Sequence, residues 1–429
     1  MRNYCFIFII LFTACNQSVI NSKIPDWVKY LSIYEVMPQQ YSESKNLNGI
    51  TDDLKRIHTM FFTALCLLPI QERDEANNAF NPSSPFAIKS FDGIDLKLGI
   101  AKDLTRLIDS AHALKMKVLM EWNFNFTGPH HTWREQHPEY YISDQKMIDN
   151  HYNPNYVKLN LENTDLQKKL IKSISNFLRE FQFDGVVLFD QDKTPANFNE
   201  SLLKSISNIR PLVLINHSNT ILNGYTFHMN SSFYAKLHQA YDSTLLVDAF
   251  NLFVDSCSKI PNINFVHDYL LNEKFGSEVN VFYNAYKYFH TLAFFLPGIH
   301  WVLNGTEDPQ FDRLSIFSNK PFSRQFKYNN DFFRSMNYQK QKNPALWNLD
   351  PENLPKRIST SNDVLALERK SGSSCIVGLF NLTNKIVRFQ IVNDYFNYYQ
   401  IFNKVPLNFS KNTELQLGPF QSLLFSNIP

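Results

Sequence analysis

Cysteine is scarce in this chain. Five of its 429 residues are Cys, and Cys66, Cys257 and Cys375 stand far apart with no paired spacing. That excludes a disulfide framework and a cysteine-built metal site. An excess of one charge is missing too: 42 Lys and Arg against 40 Asp and Glu leave a formal net charge of +2, with no Lys/Arg-rich run. Nucleic acid is therefore not indicated as a partner. No internal repeat and no low-complexity block occurs. The apolar run Tyr4 to Phe12 is too short to cross a bilayer as a mature helix. One local absence bears on chemistry: no Asp or Glu occurs from Ser201 through Tyr241.

What is present begins with that apolar run. Met1-Arg2-Asn3 followed by Tyr4 to Phe12 reads as a secretory signal, and Thr13-Ala14-Cys15 ends it. Small residues directly before a cysteine resemble the lipobox of bacterial lipoproteins. The resemblance implies cleavage before Cys15, acylation at that residue, and a protein held on a membrane of the bacterial cell envelope. A plain cleaved signal with an incidental cysteine is the alternative. Residues 1–14 are thus expected as signal and 15–26 as tether. No acidic run follows Cys15, so export to the cell surface is not signalled. The rest, 44% hydrophobic and 19% charged, has the composition of a globular protein with ample core, in one large domain and a smaller one. Aromatics are abundant, with 38 Phe and 20 Tyr, through genomic base composition or for stacking on sugar rings.

Periodicity organises the chain around Phe183-Asp184-Gly185-Val186-Val187-Leu188-Phe189-Asp190. Gly185 to Phe189 reads as a strand buried on both faces, preceded by an amphipathic helix from Leu166 to Phe181. The same strand–helix alternation runs from Leu31-Ser32-Ile33-Tyr34-Glu35-Val36 through Ala64 to Leu68 and Lys117 to Trp122. It predicts an α/β fold, a (β/α)8 TIM barrel over residues 27–355 with a short excursion after strand 3. Past Pro355 short β-type runs alternate with polar turns, predicting a C-terminal antiparallel β-sandwich over 356–429.

The motifs in these strands resemble the α-amylase family, glycoside hydrolase family 13. Its fourth barrel strand reads Asp-Gly-x-Arg-x-Asp; here Asp184-Gly185 keep the frame, Val187 stands for the Arg and Phe189 for the nucleophilic Asp. Ser84-Pro85-Phe86 is similar to a Ser-Pro-Tyr segment whose ring stacks beneath the sugar, so Phe86 is expected there unless it plugs the mouth. Val118 to Thr127 is similar to the third-strand motif, with Glu121 for an Asp, Asn125 retained and Phe126 for a sugar-binding His. Pro211 to His217 aligns with the fifth strand, and Asn216 takes the general acid's position. His267-Asp268 matches the seventh-strand His-Asp, and Leu296 to Glu307 the eighth strand. The resemblance implies Asp268 as a retained third carboxylate and His267, Asn125, Phe86, Trp122 and Phe126 as substrate-binding residues. It implies no cofactor beyond a structural Ca²⁺, to which Asn125 contributes in the family.

A retaining glycosidase needs a nucleophilic carboxylate and an acid/base carboxylate about 5–5.5 Å apart. Asp190 is the one adjacent candidate for rescue, but side chains alternate along a strand, and Asp190 should face away if Phe189 faces in. Glu121 and Glu307 are more distant candidates for recruitment. His130, His131 and His137 lie in the excursion at no recognised zinc spacing. The expected function is an amylase-like, membrane-tethered protein that binds α-glucan or another oligosaccharide without cleaving it, in a polysaccharide-uptake system. Two alternatives stand beside it: an active α-glycosidase with rearranged carboxylates, and a scaffold subunit that binds a protein partner.

Overall fold

A computed structural model describes residues 24–74, 84–142, 156–218, 220–229, 285–308, 330–358 and 363–429, together with 239, 252, 263–264, 315–316, 318 and 320–321. Cys15 with the expected signal, and His267 with Asp268, lie outside the described residues. Eight parallel strands form the barrel sheet: β1 (Ser32–Val36), β2 (Ala64–Leu67), β3 (Lys117–Trp122), β4 (Gly185–Phe189), β5 (Val213–His217), β6 (Phe227–Met229), β7 (Ile263–Asn264) and β8 (His300–Leu303). Their order is 7-6-5-4-3-2-1-8, so the first seven strands each lie beside their sequence neighbours and the eighth returns to pair with the first. That is the circular order of a (β/α)8 barrel.

Helices form where an apolar stripe meets a start signal. Helix α1 (Leu47–Thr59) is capped by Asn46, whose side chain accepts from Gly49 N. It is followed by α2 (Ala101–Ala113). Helix α3 (Thr164–Glu180) starts two residues before its first apolar position because Asn163 Oδ1 accepts from Asp165 N and Leu166 N. It buries Leu166, Leu170, Ile174, Phe177 and Leu178, the predicted stripe. Helices α4 (Ala196–Ser207), α5 (Tyr286–Phe295) and α6 (Asn330–Lys342) complete the described outer layer. Among the described residues no helix is long and apolar enough to cross a membrane.

Strand alternation sorts the core into two layers. Ile33, Cys66, Leu119, Val187 and Ile215 pack in the cluster that fills the barrel. Tyr34, Leu65, Val118, Val186 and Leu214 pack with the helices outside. Among the described residues two carboxylates share the inward parity, Glu35 and Glu121, both buried. Burial first, then Glu121 and Glu35, push the Cys66 thiol well above its ordinary range, so this cysteine is inert.

The Asp-Gly step before β4 has a structural cause. Asp184 Oδ2 accepts from Val118 N (2.9 Å) and meets His112 Nε2 (2.7 Å), while Oδ1 accepts from Lys117 Nζ (2.9 Å). The carboxylate therefore ties the start of β3 to the start of β4. Gly185 is needed because a Cβ would meet Val213 O at 2.6 Å and Leu119 Cγ at 3.0 Å. Gly185→Ala is expected to cost about 1–3 kcal/mol, read as a lower urea midpoint. Gly93→Ala, with nothing within 4 Å of its added carbon, should leave the midpoint in place.

Beyond the barrel, β9 (Lys356–Arg357), β10 (Val364–Ser371), β11 (Ser374–Asn381), β12 (Val387–Gln390), β13 (Tyr395–Gln400), β14 (Pro406–Phe409), β15 (Glu414–Leu417) and β16 (Ser422–Ser426) form two antiparallel sheets. Six strands are ordered β9-β10-β11-β16-β13-β14, and β12 pairs with β15. Val364, Val377, Phe389, Leu417 and Phe425 fill the space between them. The opposite face of the larger sheet, with Leu365, Leu367 and Phe380, packs into the barrel's outer core, where Phe380 meets Phe295 of α5.

Candidate active site

The carboxyl ends of the barrel strands converge where a barrel of this kind carries its site. Phe189 ends β4 facing inward, as the alternation predicts. Its ring stacks on His217 at 4.1 Å between centroids, and Phe86 meets it edge-on at 5.2 Å. Ser84 Oγ accepts from Phe86 N and steadies that loop. The Phe189 carbonyl is held by Asn125 Nδ2 (3.2 Å) and Gln191 Nε2 (2.7 Å). Phe126 stacks on Tyr156 at 4.3 Å beside them. The mouth is thus an aromatic ring with an imidazole and amides, and Val187 packs with Phe189 in the same inner cluster.

Several expected positions fall elsewhere. Asn216 is not the inward residue of β5. Val213 and Ile215 face the barrel interior, so Asn216 shares the outward parity with Leu214, where its Nδ2 donates to Thr220 O (2.9 Å) and lies 3.5 Å from His228 Nδ1. The residue that enters the mouth from β5 is His217, paired in register with Phe189. Sequence reading missed it by one position, and strict alternation from Val213 would have found it. Trp122 and Phe124 also point away from the mouth. Trp122 stacks on Phe91 (5.9 Å) and meets Phe177 edge-on, and Phe124 meets Phe198, all in the helix layer. Trp133 packs on the same outer side, against Phe91 and Tyr140. Phe86 is buried against Phe189, so its ring serves as a plug rather than an open platform.

The rescue carboxylates are committed as well. Asp190 has a left-handed backbone (φ 50°, ψ 38°) and pairs with Lys193 Nζ at 3.2 Å. Its left-handed backbone ends the alternation of β4, and its half-buried carboxylate is taken up by Lys193. Glu307 accepts from the Tyr34 hydroxyl and from Gly305 N, and Arg56 Nη2 lies 3.1 Å away. This buried network ties the loop after β8 to α1, away from the mouth. Glu121 faces inward, in register with Val187 one level below Phe189.

The excursion histidines do not converge. His130 Nδ1 pairs with Asp74 (2.9 Å) and His137 Nδ1 with Glu139 (3.0 Å), carboxylates that sequence spacing did not reveal. Among the described residues no group of three His, Cys, Asp or Glu could hold a metal ion. His131 is buried with Nδ1 accepting from Trp133 N (3.1 Å). Burial, then nearby Lys169, lower its pKa from the ordinary 6.5 to about 4. The unfolded chain binds this proton near pH 6.5 and the folded one only near pH 4, so stability should fall as pH drops through that window. The loss is up to about 3 kcal/mol. His131→Asn, whose Oδ1 can replace Nδ1, should flatten this part of the urea-midpoint profile.

Residues 35–164 match the family model described as alpha amylase, catalytic domain. Among curated proteins, the oligo-1,6-glucosidase of Heyndrickxia coagulans is 25% identical over 136 residues, 30% of this chain and 22% of that one. Alpha-amylase 3 of Dictyoglomus thermophilum is 23% identical over 256 residues, 50% of this chain and 48% of that one. The chain thus spans between about a fifth and a half of the length of these curated relatives. Among solved structures, an alpha-amylase from Lactobacillus plantarum superposes with TM-score 0.80 at 19% identity, covering 93% of this chain and 99% of that one. A maltogenic alpha-amylase from Thermotoga neapolitana gives TM-score 0.79 at 17% identity over the same shares. These likenesses show the fold; the sequence match from the first barrel strand through the excursion adds a likeness to the family's catalytic domain. Over residues 35–164 the chain carries the sequence pattern of the alpha-amylase catalytic domain, and over 93% of its length it has the fold of solved alpha-amylases.

Proposed function

We propose that this protein is a catalytically silent α-glucan-binding member of the α-amylase family, held at the bacterial cell envelope through a lipidated Cys15. One observation carries the silence: Phe189, stacked between His217 and Phe86, occupies the inward end of β4 where the family resemblance places the nucleophile. Phenylalanine can neither attack an anomeric carbon nor be protonated, and β5 offers imidazole instead of a carboxylic acid. Removing one member of a constellation that acts as a unit abolishes most of the rate. Here Val187, Phe189 and His217 replace a whole set.

Sugar binding is supported by what the mouth keeps. The mouth brings together the stacked rings of Phe126 and Tyr156, nearly covered in this closed form, with the His217 imidazole and the Asn125 amide, the kinds of group that orient a carbohydrate. The relatives named as glucosidases and amylases support an α-glucoside as the ligand. His267 and Asp268 would add hydrogen bonds to sugar hydroxyls, as the resemblance implies. A protein partner in a polysaccharide-uptake system fits the same reading.

The test uses protein lacking residues 1–15. Electrophoresis through amylopectin should retard it, and Phe126→Ala should relieve the retardation, while maltooligosaccharides remain intact. Unretarded migration with co-purification of a membrane protein would replace the glycan reading with the scaffold one. Metabolic labelling with palmitate, lost in Cys15→Ser, tests the tether.

A further inference from the structure

On the outer side of the barrel wall a cavity of about 370 Å³ opens between the Ile88–Ile94 strand, the short helix at Trp133 and helix α3. Its volume is that of a small-molecule site. It shares no residue with the mouth. The apolar lining is aromatic: Phe91, itself stacked on Trp122, together with Trp133 and Phe177.

The polar lining contains both signs. Lys169 and Lys172, one turn apart on α3, bring two ammonium groups; Asp92 and Glu180 bring two carboxylates. Ser173 Oγ donates to Asp92 Oδ1 (2.8 Å) and fixes that carboxylate to α3. Lys169 Nζ sits 5.1 Å over the Trp133 ring and 5.5 Å over Tyr140. Neither Lys169 nor Lys172 has an ion-pair partner or hydrogen-bond acceptor among the described residues. The lining therefore offers unspent donors and charged acceptors around an aromatic wall, with no net formal charge.

We propose that this cavity binds a neutral mono- or disaccharide, a second carbohydrate site independent of the mouth. Each sugar hydroxyl donates one hydrogen bond and accepts others, so a ring of hydroxyls is matched by ammoniums and carboxylates in one cleft. Its C–H face is matched by Trp133 and Phe91. A phosphate or nucleotide would face Asp92 and Glu180, whose like charge opposes it. An extended apolar ligand would leave the four charges desolvated and unpaired.

Calorimetry with maltose tests the assignment on protein lacking residues 1–15 in which Phe126→Ala and His217→Ala disable the mouth. Maltose should still bind at one site, and Asn176→Trp, an exposed α3 position on the cavity, should weaken it at least tenfold. Lys172→Ala, also exposed, should weaken it several-fold with an unchanged urea midpoint, which separates loss of the site from loss of the fold. Glucose 1-phosphate should bind no more tightly than maltose.

No maltose heat in the mouth-disabled protein, or heat unaltered by both cavity variants, would overturn the proposal. So would glucose 1-phosphate binding tenfold tighter with strong salt dependence, which marks an anion site. If the mouth variants remove nothing while Asn176→Trp removes all binding, the cavity stands and the mouth reading fails.

Discussion

Incubated with maltoheptaose, the purified protein is expected to release sugar at least about 10⁴-fold more slowly than a family member with its carboxylates in place. Asp190→Asn should not change even that background. The expectation follows from orientation rather than from composition. The chain has 40 acidic residues, and several lie close to the barrel in sequence. Asp190 pairs with Lys193, and Glu307 is fixed by Tyr34 and Arg56. Glu121 sits one level too deep, in register with Val187.

The same geometry defines how activity would be restored. Phe189→Asp alone should not hydrolyse, because no inward acid stands on β5. Phe189→Asp with Val187→Arg and His217→Glu puts carboxylates on adjacent paired positions of β4 and β5. Measurable retaining hydrolysis should follow if the two lie near the 5–5.5 Å such chemistry needs. The corresponding change at Asn216, an outward position, should restore nothing. A covalent glycosyl adduct trapped on any side chain of the unaltered protein would end the silent reading, and Glu121 would be the first residue to examine.

The second large effect is structural. Arg369→Leu is expected to lower stability by about 3–5 kcal/mol, read as a drop in urea midpoint. Arg369 lies on β10 with no exposed surface. Its Nε donates to Asn353 O (2.8 Å), Nη1 to Phe295 O (2.8 Å) and Nη2 to Asn353 Oδ1 (3.0 Å). One guanidinium thus fastens the sandwich to the end of α5 and to the linker between them. Burial pushes its pKa down to about 9, against the pull of Asp350, so it remains charged at neutral pH.

Leucine would fill part of the volume and leave the carbonyls of Phe295 and Asn353 without this donor, each costing about 1–3 kcal/mol. Lys340 makes a parallel anchor, with Nζ donating to Gly298 O (2.9 Å) and to Asn348 Oδ1 (2.7 Å). Arg369→Lys keeps the charge but not the fork, and should fall between wild type and Leu. An unchanged midpoint for Arg369→Leu would show that the two units hold together without this clamp.

Much of the architecture was legible because it rests on period. Apolar runs bounded by turn residues gave the strands, and Leu166, Leu170, Ile174 and Phe177 gave α3. The start of α3 lies two residues before the expected Leu166 because the Asn163 side-chain cap draws the backbone into the first turn earlier. The inward turn of Phe189 also followed from alternation. The site itself was legible only in part. Trp122 reads as a mouth residue by its place at a strand end, yet it belongs to the helix layer because Phe91 and Phe177 arrive from distant segments.

The linear order of residues determined the strand and helix periods, the family-like frame, and the presence of Phe189 at the end of the fourth strand. Those properties depend on neighbours a few positions apart, which a chain carries with it wherever it folds. Only the tertiary structure decided that His217 rather than Asn216 enters the mouth, that Glu307 is a structural anion, and that Lys169, Lys172 and Trp133 surround one cavity. Those facts depend on register and on contacts between segments far apart in the chain, and a one-residue change of register exchanges the two faces of a strand.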